Sequence, residues 1–467
     1  MKYIIKNSLL KTSITSLAFA TSMLAVGSAQ AKVSAEEAAK LGVSGTELTP
    51  MGAIRAGNAE GTIPAWNPDM SIPEGIDPAD KISDPYAAEK PLFTITAENV
   101  EQYKDKLTAG QVKMFETYPD TFKMPVYPTH RKSGYSSFVY KSAIENATRA
   151  ELVPSGNGVV NAYGTVPFPM PNNGEEAIWN LGAASAPVYF KEVNESALVY
   201  RNGKRLEAGS ISELYNPYFN PASSLDEFEK ENYPRQMIMI QQTAPARNKG
   251  GATLIYTRMN ADKTPQSVWS YSPGVRRVRR APTVAYDNFE GLGKFNTVDS
   301  GKGFNGATDR YDWKLLGRKE FYVPYNAHSF DRPLDSFDEM LTKGHVNPEF
   351  MRYELHRAWV VEATVKEGER NVFAKRTILL DEDTWIPMVA DLYDNRGELW
   401  RVVLGNSKRQ FDRNSVMLRS YMYHDMVSNE YLVDVLWNRT KKKLGQGSGT
   451  KEYSYFKPAT LRKLGVR

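Results

Sequence analysis

The side chains best suited to proton transfer or metal binding near neutral pH are five histidines, His130, His328, His345, His356 and His424. No two of them stand at a metal-ligand spacing and the chain has no cysteine, so a zinc site would have to be gathered from distant carboxylates. We expect no metal and no cofactor. Glu354 and His356 stand two apart on one face of a strand, where they could form an acid–base pair or leave His356 simply bonded to backbone. A hydrolase acting on a lipid or glycan would need two carboxylates, or a serine and a histidine, within hydrogen-bond reach, and His130, His356 and Glu354 are the positions to inspect. No Gly-x-Ser-x-Gly elbow is present. Asp381-Glu382-Asp383 and Asp391-Leu392-Tyr393-Asp394 could be imagined as calcium or glycosidase carboxylates, yet both fall at hairpin turns, where Asp supports the turn itself. Gly301-Lys302-Gly303-Phe304-Asn305-Gly306 has the spacing of a dinucleotide fingerprint without the strand before it or the amphipathic helix after it, and reads as a flexible surface loop. No catalytic residue is assigned and the chain is not expected to be an enzyme.

Aromatic and cationic side chains are densest between Trp269 and Pro282. Two strands meet at Pro273-Gly274, where proline presets one turn position and glycine supplies the other. With a two-residue loop, Tyr271 faces Arg276 and Trp269 faces Val278. Alternation then puts Trp269, Tyr271, Arg276, Val278 and Arg280 on one face and Val268, Ser270, Ser272, Val275, Arg277 and Arg279 on the other. We expect Trp269 and Tyr271 to face a concavity or pack beneath it, with Arg276 and Arg280 beside them at a rim. Arg276, Arg277, Arg279 and Arg280 would there meet an anionic head group or an acidic partner; the plainer reading is an edge hairpin with solvated arginines.

The elements that must position these residues are mostly strands. Runs at short spacing with turn signals between them reach from Val188 to Trp437, clearest over 353–404, and helices are few and short. Capping boxes open helices at Ser34, Thr108 and Ser336, Thr96 and Ser224 cap others, and Phe138 alternates with Tyr140 in what reads as a strand from Tyr135. The fold class is mainly β with peripheral helices, one large curved antiparallel sheet. The chain's 467 residues, 41% of them hydrophobic, with 26 Tyr, 19 Phe and 8 Trp, can build a sizeable core and ligand-facing surfaces. Trp269, Tyr271, Val278, Trp359, Val361, Phe373, Trp385 and Trp400 are expected to line such a surface.

Lys2, Lys6 and Lys11, the apolar stretch Ser13–Val26 and the small residues Ala29-Gln30-Ala31 form a secretory leader, with cleavage expected after Ala31. Its removal takes the formal charge from +5 to +2, so the arginine cluster is local. Export places the protein in the periplasm, argues against nucleic acid as a partner and, without a cysteine behind the leader, against a lipoprotein. The expected domains are residues 1–31 as leader, 32–130 as a helical and irregular segment packed on the main domain, and 131–467 as the β-domain.

Several blocks carry a family resemblance: Leu48–Ala53 with Gly57-Asn58 and Ile63–Trp66, Gln102-Tyr103 with Asp105–Thr108, Tyr118-Pro119 through Met124 to Val126–Arg131, the arginine hairpin, Asp309–Lys314, Tyr353–Arg357 and Arg396–Trp400. Over nearly the whole mature chain the sequence resembles domain-of-unknown-function family 1329. That family is described as outer-membrane lipoprotein-sorting-protein-like and is grouped with the LolA/LolB carriers. The resemblance implies an unclosed β-barrel with short helices over an apolar concavity and a carrier of lipids or other hydrophobic molecules. It also implies partnership with an inner-membrane exporter of the resistance–nodulation–division type and an outer-membrane protein. The family offers no catalytic residues to carry over.

Overall fold

The computed structural model describes residues 33–78, 83–281, 286–411, 415–439 and 451–465. The expected leader, the basic tail at Lys441–Lys443 and Pro282 lie outside the described residues. Among the described residues fifteen strands form one sheet. They are β1 (Phe93–Ile95), β2 (Met124–Val126), β3 (Tyr189–Val199), β4 (Arg205–Tyr215), β5 (Gln236–Ala244), β6 (Ala252–Thr257), β7 (Ser267–Ser272) and β8 (Arg277–Arg280). They continue as β9 (Tyr311–Pro324), β10 (Tyr353–Val365), β11 (Lys375–Asp381), β12 (Pro387–Tyr393), β13 (Leu399–Gln410), β14 (Ser415–Asp425) and β15 (Glu430–Leu436). Six helices accompany them: α1 (Ala35–Ala38), α2 (Ala109–Thr117), α3 (Ser137–Arg149), α4 (Gly174–Trp179), α5 (Leu225–Lys230) and α6 (Pro458–Gly465).

Two antiparallel meanders, β3 to β8 and β9 to β15, are joined where β15 pairs with β3. The pairing of β2 with β10 is parallel, so the sheet is mixed. The end strands β8 and β9 do not pair with each other, which leaves the sheet open and not closed into a barrel. This is the mainly β architecture expected from the strand and turn spacing. Among the described residues no helix is long and apolar enough to cross a membrane.

Strands β10 to β15 are buried on both faces, which is why their apolar residues run continuously instead of alternating. One face, with Val360, Leu379, Val389, Val402 and Met422, packs under Met114 and Phe115 of α2. The other, with Val361, Ile378, Ala390, Val403 and Leu432, packs with Trp66, Tyr140, Ile178 and Phe295. We call the second the inner face. Along β3 to β7 the outer face is covered by Phe456 and Leu461 of the C-terminal segment.

Three local expectations differ from the structure. Residues from Ser137 form helix α3, because Ser136 caps the amide of Val139 and Val139, Tyr140, Ala143, Asn146 and Ala147 bury one helical face. The alternation of Phe138 and Tyr140 was too short a window to decide the period. Thr96 does not cap a helix: its amide donates to Asn99 and a 3-10 turn follows over Val100–Lys106. Ser336 bonds the amide of Asp338 in a local turn and no helix forms over 336–343.

Candidate functional site

A cavity of about 930 Å³ lies on the inner face where the covering layer ends. Its floor follows from the strand register. Phe190, Leu214, Ile238, Ile255 and Val268 pair in turn across β3 to β7 and form an apolar lane, of which Phe190, Leu214 and Ile238 line the cavity. The next row on the same face is Glu192, Ser212, Ile240, Thr253 and Ser270, and beyond it stand Asn194, Ser210 and Gln242. Along most of these strands an apolar residue is therefore followed by polar ones two residues apart, with Ile240 the exception on β5. The far wall is Leu418, Arg419, Tyr421 and Tyr423 of β14 with Asp434. The segment 290–305 crosses over and supplies Leu292 and Lys302.

The eight residues expected to line a concavity lie mostly elsewhere. Trp269, Tyr271 and Val278 pack on the outer face with Phe456 and Leu461, and only Tyr271 also borders the cavity. Trp359, Val361, Phe373 and Trp385 are on the inner face but belong to its sealed core. There Trp385 stacks on Trp359 at 5.8 Å and donates its indole N–H to the Met51 carbonyl at 2.9 Å. Trp400 packs on Phe373 at 5.2 Å and donates to Asp425 at 2.9 Å. Large apolar side chains went to the faces with the most cover, leaving Ser, Asn and Gln around the open space.

The arginine hairpin has a four-residue turn, 273–276, with Arg276 at φ 51° donating its amide to Ser272 at 2.9 Å. The two-residue loop is thus corrected: Arg280, not Val278, faces Trp269, and Val278 faces Tyr271. A type II Pro-Gly turn twists against a tight hairpin, and the longer turn relieves this. Arg280 stays on the aromatic outer face, 5.9 Å from the Trp269 ring, while Arg276 sits in the turn. Arg277 and Arg279 pair with Ser272 and Ser270, which line the cavity, so these two arginines share its face at the open edge of the sheet. All four are exposed, and among the described residues none has a carboxylate within 4.0 Å.

His130, His356 and Glu354 do converge, away from the cavity. Glu354 accepts from His356 Nε2 at 3.0 Å, the His130 amide at 2.9 Å, Arg352 Nε at 2.7 Å and Asn326 at 3.0 Å. Its burial favours the neutral acid, but His356, Arg352 and the His130 amide overcome this and hold its pKa below the ordinary value. The His130 ring turns to Glu89 at 2.6 Å and stacks on Tyr86. No hydroxyl nucleophile bonds either ring among the described residues. The arrangement saturates a buried carboxylate and leaves it no free lone pair for a substrate. His328 and His424 are held neutral by burial, each with its pKa pushed down to about 3. Among the described residues no group of His, Asp and Glu could hold a metal ion.

Of the carboxylates read as turn supports, Asp381 accepts from Thr384 N and Oγ1 and Asp394 from the amides of Arg396 and Glu398, as expected, while Glu382, Asp383 and Asp391 have other partners. Glu382 and Asp383 are buried and take Arg131 at 2.9 and 2.7 Å, and Glu382 also takes Arg357. Arg131 donates further to Ile54 O at 2.6 Å, and Arg357 to Ala56 O at 2.7 Å. This network bolts the block around Ile54 to the sheet. Burial and the neighbouring Asp383 push the Asp381 carboxyl up to about 6. Asp391 lies inside β12, where it accepts from Gly110 N at 2.9 Å and Thr108 Oγ1 at 3.2 Å at the start of α2. A Cβ on Gly110 would lie 2.1 Å from the Asp391 carboxylate, so only glycine permits this approach.

What the sequence reading missed is the polar floor. Its signal was present: Glu192, Asn194 and Ser196, and Ser210 and Ser212, alternate along strands that are otherwise well formed. Polar residues on a strand face that turns inward mark a lined space, but one strand alone does not say which face turns inward.

An uncharacterized protein of Pseudomonas aeruginosa is 41% identical over 444 residues, 94% of this chain and 95% of the relative. Among solved structures, a provisionally named outer-membrane lipoprotein-sorting protein domain from Vibrio parahaemolyticus matches at a TM-score of 0.39 and 13% identity, over 59% of this chain and 91% of that one. A LolA superfamily protein from Nitrosomonas europaea matches at 0.32 and 13%, over 57% and 91%. Residues 94–462, which include every strand that walls the cavity, match the model of a family described as a protein of unknown function, and this chain belongs to that family, DUF1329.

Proposed function

We propose that the protein is a periplasmic carrier or binding protein for a lipid or another hydrophobic molecule, linked to envelope transport. The observation that carries the reading is the cavity of about 930 Å³ with an apolar lane beside a polar one. Its size lies in the range of roughly 300–1,000 Å³ typical of small-molecule sites. An acyl chain of about sixteen methylenes gains roughly 13 kcal/mol on burial at ~0.8 kcal/mol per methylene. Ordering and desolvation reduce this to a net affinity that still allows release. Mass spectrometry of solvent extracts of the purified protein should find a bound amphiphile, and a fluorescent fatty acid should bind the emptied protein. Repeated absence of both rejects the reading.

The partners implied by the family resemblance, an exporter of the resistance–nodulation–division type and an outer-membrane protein, belong to the same proposal. A scaffold role within an envelope complex is the second reading, favoured by the exposed Arg277, Arg279 and Arg280 on the edge strand β8 and Arg276 in the turn before it. The hydrolase reading has the convergence at Glu354 in its favour and the saturation of that carboxylate against it.

A further inference from the structure

The glycine-rich segment 301–306, read from the sequence as a surface loop, is part of the cover of the cavity, and it is held from both sides. Lys302 donates its amide to the Tyr423 hydroxyl at 3.1 Å. The Gly303 carbonyl accepts from Arg376 at 3.0 Å, and the Asn305 amide donates to Asp299 O at 2.8 Å. A Cβ on Gly303 would lie 2.7 Å from that of Ala390, so glycine lets the segment sit close against β12. Lys302 itself adopts φ 59°, a conformation that costs a non-glycine residue roughly 1–2 kcal/mol and persists where its surroundings dictate it.

This backbone delivers the Lys302 side chain into the cavity. The side chain is accessible where it lines the cavity, with protein atoms packed around it. Its ammonium stands 5.9 Å from the Tyr421 ring. Among the described residues no carboxylate lies within 4.0 Å of it. Of the three acids in the wall, Asp434 accepts the Ser196 hydroxyl, Glu290 does not come within 4.0 Å of the ammonium, and Glu192 lies too far to pair but close enough to offset part of the repulsion from Arg235. Burial lowers the lysine's pKa, and Arg235 adds to the effect. A cation placed by a strained backbone in an amphipathic cavity, with no carboxylate in contact, is open to a negatively charged group.

We propose that Lys302 receives the anionic group, carboxylate or phosphate, of an amphiphile whose apolar body lies along Phe190, Leu214 and Ile238. This inference rests on the carrier reading and adds the charge of the ligand's head. It is tested on the full mature chain after removal of bound lipid, by displacement of the neutral probe N-phenyl-1-naphthylamine. Hexadecanoate, hexadecyl phosphate and hexadecanol are compared below their micellar concentrations.

The expected result is displacement by at least one of the two anions at roughly ten-fold lower concentration than by hexadecanol. Which anion leads distinguishes a carboxylate from a phosphate head. In Lys302→Met the ratio of anion to alcohol should fall to near one, and Lys302→Arg should restore it. If the wild-type protein binds alcohol and anions equally, or if Lys302→Met keeps the selectivity, the assignment of Lys302 is overturned while the carrier reading stands. If none of the three displaces the probe and the probe itself does not bind, both fall. The wild-type ratio needs no variant, so a poorly folding Lys302→Met leaves the test intact.

Discussion

Asp391 has two donors, Thr108 and the Gly110 amide, and no cation within 4.0 Å among the described residues. Two hydrogen bonds do not offset its complete burial, and its pKa is pushed up to about 6 from an ordinary 3.8. The folded state thus holds a proton that the unfolded state gives up first. Its contribution to stability is greatest below pH 3.8, declines as pH rises to about 6, and is constant above that. Two units correspond to about 3 kcal/mol at 1.36 kcal/mol each. Asp391→Asn keeps an acceptor oxygen for the Gly110 amide, turns its NH2 to the Thr108 hydroxyl, which can accept, and removes the titration. Urea unfolding should therefore show the variant gaining on the wild type by roughly 1–3 kcal/mol between pH 4 and pH 7.5. A difference that stays constant across this range would refute the assignment. The sequence placed this carboxylate at a turn; the strand extends through Tyr393, and the turn proper begins at Asp394.

Between elements, the buried charges act as bolts. Arg131 reaches Glu382, Asp383 and the carbonyls of Ile54 and Ala56. Arg131→Met would strand the buried Asp383 and leave Glu382 with Arg357, at a cost of about 3–5 kcal/mol. The block 47–66 should then become accessible to protease, with cleavage sites located by mass spectrometry. An unchanged digestion pattern would mean that the block is held by packing alone. The C-terminal helix α6 is a second bolt: Leu461 is fully buried in the cluster that holds Tyr271, Met237 and Leu254. Leu461→Ala should cost about 2–4 kcal/mol and raise hydrogen exchange in β5 to β8 more than in β10 to β14. Uniform exchange across the sheet would contradict this coupling. Capping boxes at Ser34 and Thr108 were legible as local signals and both form. The helix α3 was not, because three residues of alternation fit either period.

For the molecule as a whole, the decisive feature is which half of the sheet is left uncovered on its inner face. Ile238→Trp fills the apolar lane at its centre and should weaken fluorescent fatty-acid binding at least roughly ten-fold with little change in unfolding temperature, as expected of a side chain facing open space. Equal binding by this variant would place the ligand elsewhere. Replacing Arg276, Arg277, Arg279 and Arg280 together by Ser separates docking from carriage. Capture of an envelope partner in pull-downs should fall while fatty-acid binding is kept; loss of binding with capture intact would assign the arginines to the ligand instead.

Local chemistry in the sequence was enough to define most strands, the Asn202-Gly203 turn, the meander from β10 to β13 and the family blocks. Strand alternation also separated Ser270 and Ser272 from Trp269 and Tyr271 correctly. Alternation divides a strand into two faces, but it does not say what will cover each one. That depended on segments far away in the chain: Phe456 and Leu461 over the aromatic face of β7, Met51 and Trp66 against Trp385 and its neighbours, and Lys302 across the polar floor. The largest apolar side chains were drawn to whichever face those segments sealed, because that is where most surface leaves water. Only the tertiary structure therefore decided that most of the tryptophans pack in the core while serines, glutamines, a few isoleucines and one lysine are among the residues that line the cavity.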